Sequence, residues 1–178
     1  PTLFFSTGVL ARYLVRIPLA GKTFLDLGTG TGRVALTVAR AGAMVTASDI
    51  NPAAIQNARR NAERNALSIR CKLSDQFDAL PEHFDVIAIN PPYYPQEPAD
   101  AAASAFFSGR DHSYFSRLFP ELRSRVSRGT VVLLILSGDR SSSGIKEKAL
   151  ACGLTLAMKH SERHMGERQV VYSVGLSR

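Results

Sequence analysis

The sequence predicts an α/β fold with a mostly parallel β-sheet. Short apolar runs alternate with longer helical stretches along the chain, which is the pattern of strand–helix–strand units. The run at residues 84–89 is largely aliphatic, which is typical of a strand buried on both faces of a sheet. A length of 178 residues, with 45% apolar and 21% charged residues, favours one globular domain over residues 1–178.

Local signals place the individual elements. Strands are expected at the short apolar runs, over residues 23–27, 44–48, 68–73, 84–89, 131–136, 155–159 and 169–174. Helices are expected over about residues 7–16, 33–41, 52–65, 112–126 and 143–152. Asn51-Pro52 is the clearest helix start, with Asn as the cap and Pro in the first turn. Ser6 or Thr7 is the expected cap of the opening helix, and Gly42 ends the second helix.

A glycine-rich turn follows the first strand. Gly28, Gly30 and Gly32 stand at alternate positions, and glycine lets a backbone approach a ligand closely because it lacks a Cβ atom and reaches positive φ easily. The dinucleotide fingerprint G-x-G-x-x-G requires glycine where this chain has Arg33, so a dinucleotide is disfavoured. Asp26, two residues before the first glycine, would repel a pyrophosphate and attract an ammonium group. A plain glycine-rich turn is the alternative.

Two further carboxylates follow the next two strands. Asp49 stands at the end of the second strand, where its carboxylate can accept hydrogen bonds from two ribose hydroxyls. A turn or capping role before Asn51 is the alternative. Asp75 follows the third strand and could accept from an adenine amino group, with Phe77 beside the ring, although aspartate is also common in turns.

The segment Asn90-Pro91-Pro92-Tyr93 directly follows the fourth strand. Its two prolines restrict the backbone, so Asn90 and the neighbouring carbonyls hold one geometry. The Asn90 side chain and the backbone each offer an acceptor oxygen, and together they can hold an NH2 group by both hydrogens. Tyr93 offers a face on which a planar group can stack. The alternative is a polyproline turn at a strand end.

These loops are expected to meet. In an open α/β sheet, ligands bind at the carboxyl ends of strands where the strand order reverses. If the first and fourth strands are neighbours, the loops at residues 28–32 and 90–93 face each other across that crevice. One loop would hold a cofactor with an amino-acid end and an adenosine end, and the other would hold an acceptor amine or amide.

At these residues the sequence resembles the class I S-adenosylmethionine-dependent methyltransferases, over nearly the whole chain. Residues 25–32 resemble their first motif and residues 49–61 their second, while Asn90-Pro91-Pro92-Tyr93 is similar to the fourth motif of enzymes that methylate planar nitrogens. The resemblance is strongest to release-factor glutamine methyltransferases (the HemK/PrmC type) and small-domain methyltransferases. It implies a Rossmann-like seven-stranded methyltransferase sandwich, with a mostly parallel sheet and an antiparallel last strand.

The resemblance also implies residue roles. The residues expected at the cofactor, S-adenosyl-L-methionine, are Asp26, Gly28, Thr29, Gly30, Gly32, Asp49, Ile50, Asp75, Gln76 and Asn90. The residues expected to be catalytic are Asn90, Pro91, Pro92 and Tyr93, with Asn90 and the Pro91 carbonyl orienting the target nitrogen. Residues 4–10 would cover the methionine end of the cofactor. No metal is expected, because the two cysteines are not spaced for a metal knuckle and His160 and His164 do not form an H-E-x-x-H motif. Methyl transfer from a sulfonium mainly requires that the two reactants be positioned.

The net charge of +7 is uneven along the chain. Residues 110–178 carry 12 basic and six acidic side chains and hold most of the excess. Such a balance favours acidic partners such as nucleic acid or the ribosome. No apolar run approaches the about 20 residues that a membrane span needs, and two cysteines cannot build a disulfide framework. We therefore expect a cytoplasmic protein with no membrane partner.

Three functions stay open on the sequence alone. The first is methylation of a glutamine side chain in a translation-related protein such as a release factor, and the second is methylation of an exocyclic amine in RNA or DNA. The third is a non-catalytic module that binds nucleic acid or a partner, which the intact residues 90–93 argue against. The chain begins with Pro1 rather than Met, so substrate recognition by a missing N-terminal region or a partner subunit stays open too.

Overall fold

The computed structural model describes residues 3–92, 94, 96, 107–127, 129–138 and 142–177. Its α-helices are α1 (Leu3–Leu14), α2 (Arg33–Arg40), α3 (Pro52–Arg64), α4 (Ser113–Arg125) and α5 (Ser142–Ala151), and a short 3-10 helix (Arg110–His112) precedes α4. Its strands are β1 (Thr23–Leu27), β2 (Met44–Asp49), β3 (Arg70–Leu73), β4 (Val86–Ile89), β5 (Val131–Ser137), β6 (Leu154–His164) and β7 (Glu167–Leu176). The predicted catalytic residue Tyr93 lies outside the described residues.

The strands form a seven-stranded sheet in the order β3-β2-β1-β4-β5-β7-β6. Strands β1 to β4 pair in parallel, and β7 is antiparallel to both β5 and β6. The predicted α/β fold, seven-stranded and mostly parallel with an antiparallel last strand, is confirmed.

The chain is organised as two compact units, residues 1–90 and 91–178. The first unit contains α1 to α3 and the four parallel strands, and the second contains α4, α5 and β5 to β7. That residues 1–178 act as one methyltransferase domain stays a prediction.

In the first unit, buried aliphatic and aromatic side chains hold the helices against the sheet. Phe24 and Leu25 on β1 and Ile87 and Ile89 on β4 are almost completely buried. Their strands pair directly, with Leu27 opposite Ile89, so the expectation that the first and fourth strands are neighbours is confirmed. Burial on both faces explains why these strands are read as continuous apolar runs.

The opening helix begins earlier than expected. Helix α1 starts at Leu3, so Ser6 and Thr7 lie inside it and the prediction that one of them caps the helix is wrong. Phe5 stands one turn before Val9, which is fully buried, so the apolar side of the helix continues upstream of the expected cap. The two hydroxyl side chains are therefore available for other contacts.

The second unit is organised around an antiparallel core. Strand β5 is buried from its second residue to its end, and α4 contributes the buried side chains Phe115, Leu118, Phe119 and Leu122. The closing hairpin is longer than expected, because β6 and β7 run to a two-residue turn at Met165 and Gly166. Both turn residues have positive φ, +48° and +84°, as a tight hairpin turn requires. Across the described part of the chain, no helix has the length and apolar content to cross a membrane.

Candidate active site

The candidate site is built on the carboxyl ends of parallel strands in the first unit. Leu27, the last residue of β1, pairs with Ile89, the last residue of β4, so the loops that begin at Gly28 and Asn90 start side by side. Asp49 ends β2 and pairs with Leu73, which ends β3. Parallel pairing thus brings the four strand ends to one edge of the sheet.

The loop at residues 28–32, called the glycine loop below, has free space beside the backbone at two of its three glycines. Gly28, Gly30 and Gly32 all have positive φ, at +76°, +55° and +82°. A Cβ atom built on Gly28 or Gly30 would meet no atom within 4 Å, whereas one on Gly32 would lie 3.1 Å from the Cβ of Ala58 in α3. Gly32 is therefore explained by the close approach of α2 to α3, while Gly28 and Gly30 leave room for a ligand.

The loop is held in shape by β2. The Ser48 carbonyl accepts hydrogen bonds from the backbone N–H groups of Gly28 (2.9 Å) and Thr29 (2.8 Å). The Gly32 N–H donates to the Thr29 carbonyl at 2.9 Å. Main-chain contacts thus hold the first half of the turn against β2.

Asp26 is a buried carboxylate at the base of this loop. Its side chain lies on β1 and the residue is only 2% exposed. The Oδ2 atom accepts hydrogen bonds from the Thr29 hydroxyl (2.6 Å) and from the Ala35 N–H in the first turn of α2 (3.0 Å). Burial raises the pKa of Asp26 to about 6, although these two hydrogen bonds act in the opposite direction. Asp26 and Thr29 therefore join strand, loop and helix, a structural role that the sequence analysis missed.

Asp49 supports the same loop from β2. Its Oδ2 atom accepts from the Gly30 N–H at 2.9 Å, and its Oδ1 atom accepts from the Asn51 N–H at 2.9 Å. Asn51 caps α3, accepting from the Ala53 N–H at 2.9 Å. The turn role weighed for Asp49 is thus present. An ionised carboxylate offers about four lone-pair sites, so these two hydrogen bonds leave acceptor capacity for hydroxyl groups of a ligand.

Apolar side chains are exposed beside Asp49. Ile50 is 58% exposed and Leu73, opposite Asp49 on β3, is 55% exposed. Phe77, which was expected beside an adenine ring, is buried, and its place beside the ring stays a prediction. Large exposed apolar side chains at a strand end are suited to cover the face of a planar group, and Leu73 is a residue that the sequence analysis did not single out.

Asp75 and Gln76 form the turn that follows β3. The Asp75 side chain is half-buried and Gln76 is buried with a φ of +46°. The turn is closed by Ser74, whose hydroxyl donates to the Gln76 carbonyl (2.9 Å) and accepts from the Ala79 N–H (3.0 Å). The turn chemistry that the sequence analysis weighed for Asp75 is present, and its contact with adenine stays a prediction.

Asn90 is held by a residue from the opposite end of the first unit. Its Nδ2 atom donates a hydrogen bond to the Thr7 hydroxyl of α1 at 2.9 Å. Pro91, which follows, is buried and Pro92 is half-buried. No sequence signal points to Thr7, because it lies 83 residues away and its position depends on where α1 packs.

These features of the first unit fit S-adenosylmethionine. The open backbone at Gly28 and Gly30 is a cradle that any Cβ atom would fill, and the remaining acceptor capacity of Asp49 suits ribose hydroxyls. The buried carboxylate of Asp26 suits the ammonium group, and the exposed Ile50 and Leu73 suit the adenine ring.

Comparison with known proteins identifies the family. The family model described as "Methyltransferase small domain" matches residues 5–112, which is more than half of the chain. A protein of Methanocaldococcus jannaschii that is named as a protein N5-glutamine methyltransferase is 34% identical over 137 residues, covering 74% of this chain and 68% of that protein. The release factor glutamine methyltransferase of Bordetella pertussis is 42% identical over 87 residues, covering 47% of this chain and 32% of the relative.

The fold is also found in solved structures. A methyltransferase from Pyrococcus furiosus superposes with a TM-score of 0.70 at 23% identity, covering 94% of this chain and 83% of that protein. This likeness supports the architecture, and the sequence matches support the family. The chain therefore belongs to the methyltransferase small domain family, as an enzyme that uses S-adenosylmethionine as its methyl donor.

Proposed function

We propose that this protein transfers a methyl group to the side-chain amide nitrogen of a glutamine in a translation-related protein such as a release factor. The observation that carries the proposal is the position of Asn90, which begins the Asn-Pro-Pro segment beside the glycine loop at the ends of paired strands. The names of the two sequence relatives described above support the same acceptor.

The cofactor would be held by the first unit. Asp26 and the backbone of Gly28 and Gly30 would face its methionine part, Asp49 would accept from its ribose, and Ile50 would cover its adenine. The other predicted contacts come from Thr29, Gly32, Asp75 and Gln76. When bound, S-adenosylmethionine supplies a methyl group that is already activated by the positive sulfur, so the chain has to bind and orient rather than to activate.

Asn90 and the Pro91 carbonyl would hold the acceptor. Each offers an oxygen that can accept one N–H of a planar amide. With both hydrogens held, the plane of the amide is fixed, so the nitrogen lone pair would lie along one axis on which the methyl donor could approach. The two hydrogen bonds also stabilise the positive charge that develops on nitrogen during transfer, more than they stabilise the resonance of the ground state. Pro92 would fix the loop and Tyr93 would pack beside the acceptor.

The test is a transfer assay with two substrates. The protein is incubated with tritium-labelled S-adenosylmethionine and either purified release factors or total RNA, and the products are then treated with nuclease or protease. We expect nuclease-resistant label in a release factor, and a mass increase of one methyl group that fragmentation assigns to a glutamine. The matched control is the same assay with Asn90→Ala.

The contrary outcome is also informative. The 12 basic side chains within residues 110–178 are suited to a phosphate backbone as well as to a ribosome-associated protein. Label that follows the RNA and is released by nuclease would replace the glutamine proposal by methylation of an exocyclic amine.

A further inference from the structure

One end of the Asn90 side-chain amide is hydrogen-bonded to Thr7. The Asn90 amide nitrogen is the donor and the Thr7 oxygen is the acceptor, at 2.9 Å. Among the described residues, no other hydrogen bond of the Asn90 side chain is present, so Oδ1 is the end of the amide that can accept. The side chain therefore has one end committed to α1 and one end that can take a hydrogen.

The orientation of the Asn90 amide matters because its oxygen accepts hydrogen bonds, whereas its NH2 group donates them. Rotation by 180° about the last side-chain bond exchanges the acceptor oxygen for an NH2 donor with little change in shape. A target nitrogen carries hydrogens, so it requires an acceptor. An Asn90 side chain rotated the other way would set one N–H group against another and could not hold the substrate.

Thr7 is a fixed point against which the amide can be oriented. The side chains of Val9, Leu10 and Leu14 on the same helix are fully buried. A Cβ atom on Gly8 would lie 3.2 Å from Arg12 Nη1 and 3.4 Å from Arg33 Nη2, so α1 also leaves little space towards the start of α2. A hydroxyl on such a packed helix holds its position better than one on a loop.

We propose that Thr7 is the positioning residue of the acceptor site: its hydroxyl anchors the Asn90 side chain to α1, with the amide oxygen left for the target nitrogen. Thr7 touches neither substrate nor cofactor in this role and acts only through Asn90. The inference rests on the proposed function, because it assigns a partner to the residue that holds the acceptor amide.

The kinetic test compares two substitutions at Thr7 with a control on α2. Thr7→Val keeps the shape and removes the hydroxyl, whereas Thr7→Ser keeps the hydroxyl. The matched control is Thr37→Val, because among the described residues the exposed Thr37 hydroxyl bonds only to the carbonyl of Arg33, one turn earlier in its own helix, at 2.8 Å. We expect Thr7→Val to lower kcat about tenfold, with the KM for the release factor and the Kd of the cofactor within about twofold of wild type.

Recovery of kcat in Thr7→Ser distinguishes a positioning role of the hydroxyl from a packing role of the methyl group. Thr7→Ser should recover at least half of the wild-type kcat, and Thr37→Val should match wild type. Equal losses in Thr7→Val and Thr7→Ser would show that the methyl group and not the hydroxyl matters, and would overturn the proposal. A wild-type kcat in Thr7→Val would overturn it as well.

A measurement without turnover distinguishes this inference from the proposed function. In the 15N-labelled protein, the Asn90 side-chain NH2 signal should shift and exchange faster with solvent in Thr7→Val but not in Thr7→Ser. If the wild-type enzyme leaves release factors unmethylated, the proposed function fails while this signal still tests the contact. Identical NH2 signals in wild type and Thr7→Val would overturn the positioning role whatever the substrate.

Discussion

The amino and carboxyl ends of β1 and β4 each carry an aspartate, and the pKa values of the two carboxyl groups are shifted in opposite directions. At the amino end, Asp85 Oδ2 accepts from the Thr23 N–H (2.8 Å) and hydroxyl (2.9 Å), and the Asp85 N–H donates back to the Thr23 hydroxyl (2.9 Å). These hydrogen bonds hold the pKa of Asp85 below its usual value. At the carboxyl end, burial raises the pKa of Asp26 to about 6.

The difference separates a structural edge from a functional one. The pair at the amino end satisfies its own hydrogen-bonding groups near solvent, so its charge is stabilised by the fold. The carboxyl end keeps a carboxylate away from water, leaves acceptor capacity on Asp49 and exposes two apolar side chains. A fold retains such unfavourable features mainly where a ligand makes use of them. Substitutions at the amino end should therefore change stability, whereas substitutions at the carboxyl end should change kcat or the Kd of the cofactor.

The largest expected effect is at Asn90. Asn90→Ala removes the acceptor proposed to hold the target nitrogen, so kcat should fall at least about 100-fold, as for the loss of one oriented group in a transition state. The Kd of S-adenosylmethionine, measured by calorimetry, should stay within about twofold of wild type. A large loss of cofactor affinity would contradict the acceptor role.

Asp49 should govern cofactor affinity rather than turnover. Asp49→Ala removes a charged acceptor and the support of the Gly30 and Asn51 N–H groups, so the Kd should rise about 30-fold, in the range for hydrogen bonds to charged groups. Asp49→Asn keeps an acceptor oxygen and should lose less. Calorimetry that finds unchanged affinity in Asp49→Ala would place the ribose elsewhere.

Because of Asp26, the free energy of unfolding and the affinity for the cofactor should depend on pH in opposite directions. The folded-state pKa of Asp26 is raised, so its contribution to the free energy of unfolding is present below pH about 4 and is lost as the pH rises through about 6. The Asp26 side chain gains its charge over the same range, and with it the proposed attraction for the ammonium group of the cofactor. We expect the cofactor Kd to rise about tenfold from pH 7 to pH 5, with a flat profile in Asp26→Asn. A pH profile shared by both proteins would exclude Asp26 as its source.

Two glycines offer a closely matched pair. Gly28 and Gly21 have similar φ values, +76° and +73°, open space at the Cβ position, and an N–H that donates to a carbonyl at 2.9 Å. Alanine at either position should cost about 1–2 kcal/mol of stability through backbone strain. Only Gly28→Ala should also weaken cofactor binding, about fivefold, because its methyl group enters the ligand cradle. Equal Kd values for the two variants would show that the cradle is not used.

The smallest functional effect is expected at the amino end. Thr23→Val removes a donor and an acceptor of the Asp85 pair, so the midpoint of thermal unfolding should fall by about 2–4 °C. The difference between the unfolding midpoints of wild type and Thr23→Val should shrink as the pH falls below about 4. The Asp85 side chain, whose pKa is lowered in the fold, stabilises the fold only while its carboxylate is charged. Both kcat and the cofactor Kd should match wild type, and a change in either would remove the contrast between the two ends.

Sequence reasoning succeeded where local chemistry decides the structure. Strand β1 has the bounds that its apolar run predicts, and α3 begins at Pro52 behind its Asn51 cap. The positions of Gly28, Asp49 and Asn90 followed from a general rule, that parallel strands bring their carboxyl ends to one edge.

What sequence reasoning missed depends on contacts between distant segments. Strand β4 begins at Val86 rather than at residue 84, beyond the Asp85 side chain that is bonded to Thr23. Thr7 looked like a helix cap, and only the packing of α1 places its hydroxyl against Asn90. The exact place of the closing turn was also missed, because Met165 stands beside Gly166 with a positive φ that methionine rarely adopts.

The Ser48 carbonyl, which binds two consecutive N–H groups of the glycine loop, has a thermodynamic consequence. A loop already shaped by its own main chain loses little conformational entropy when a small molecule arrives. Cofactor association should therefore be fast and show a heat-capacity change that matches the apolar area covered, without the larger change that accompanies ordering of a segment.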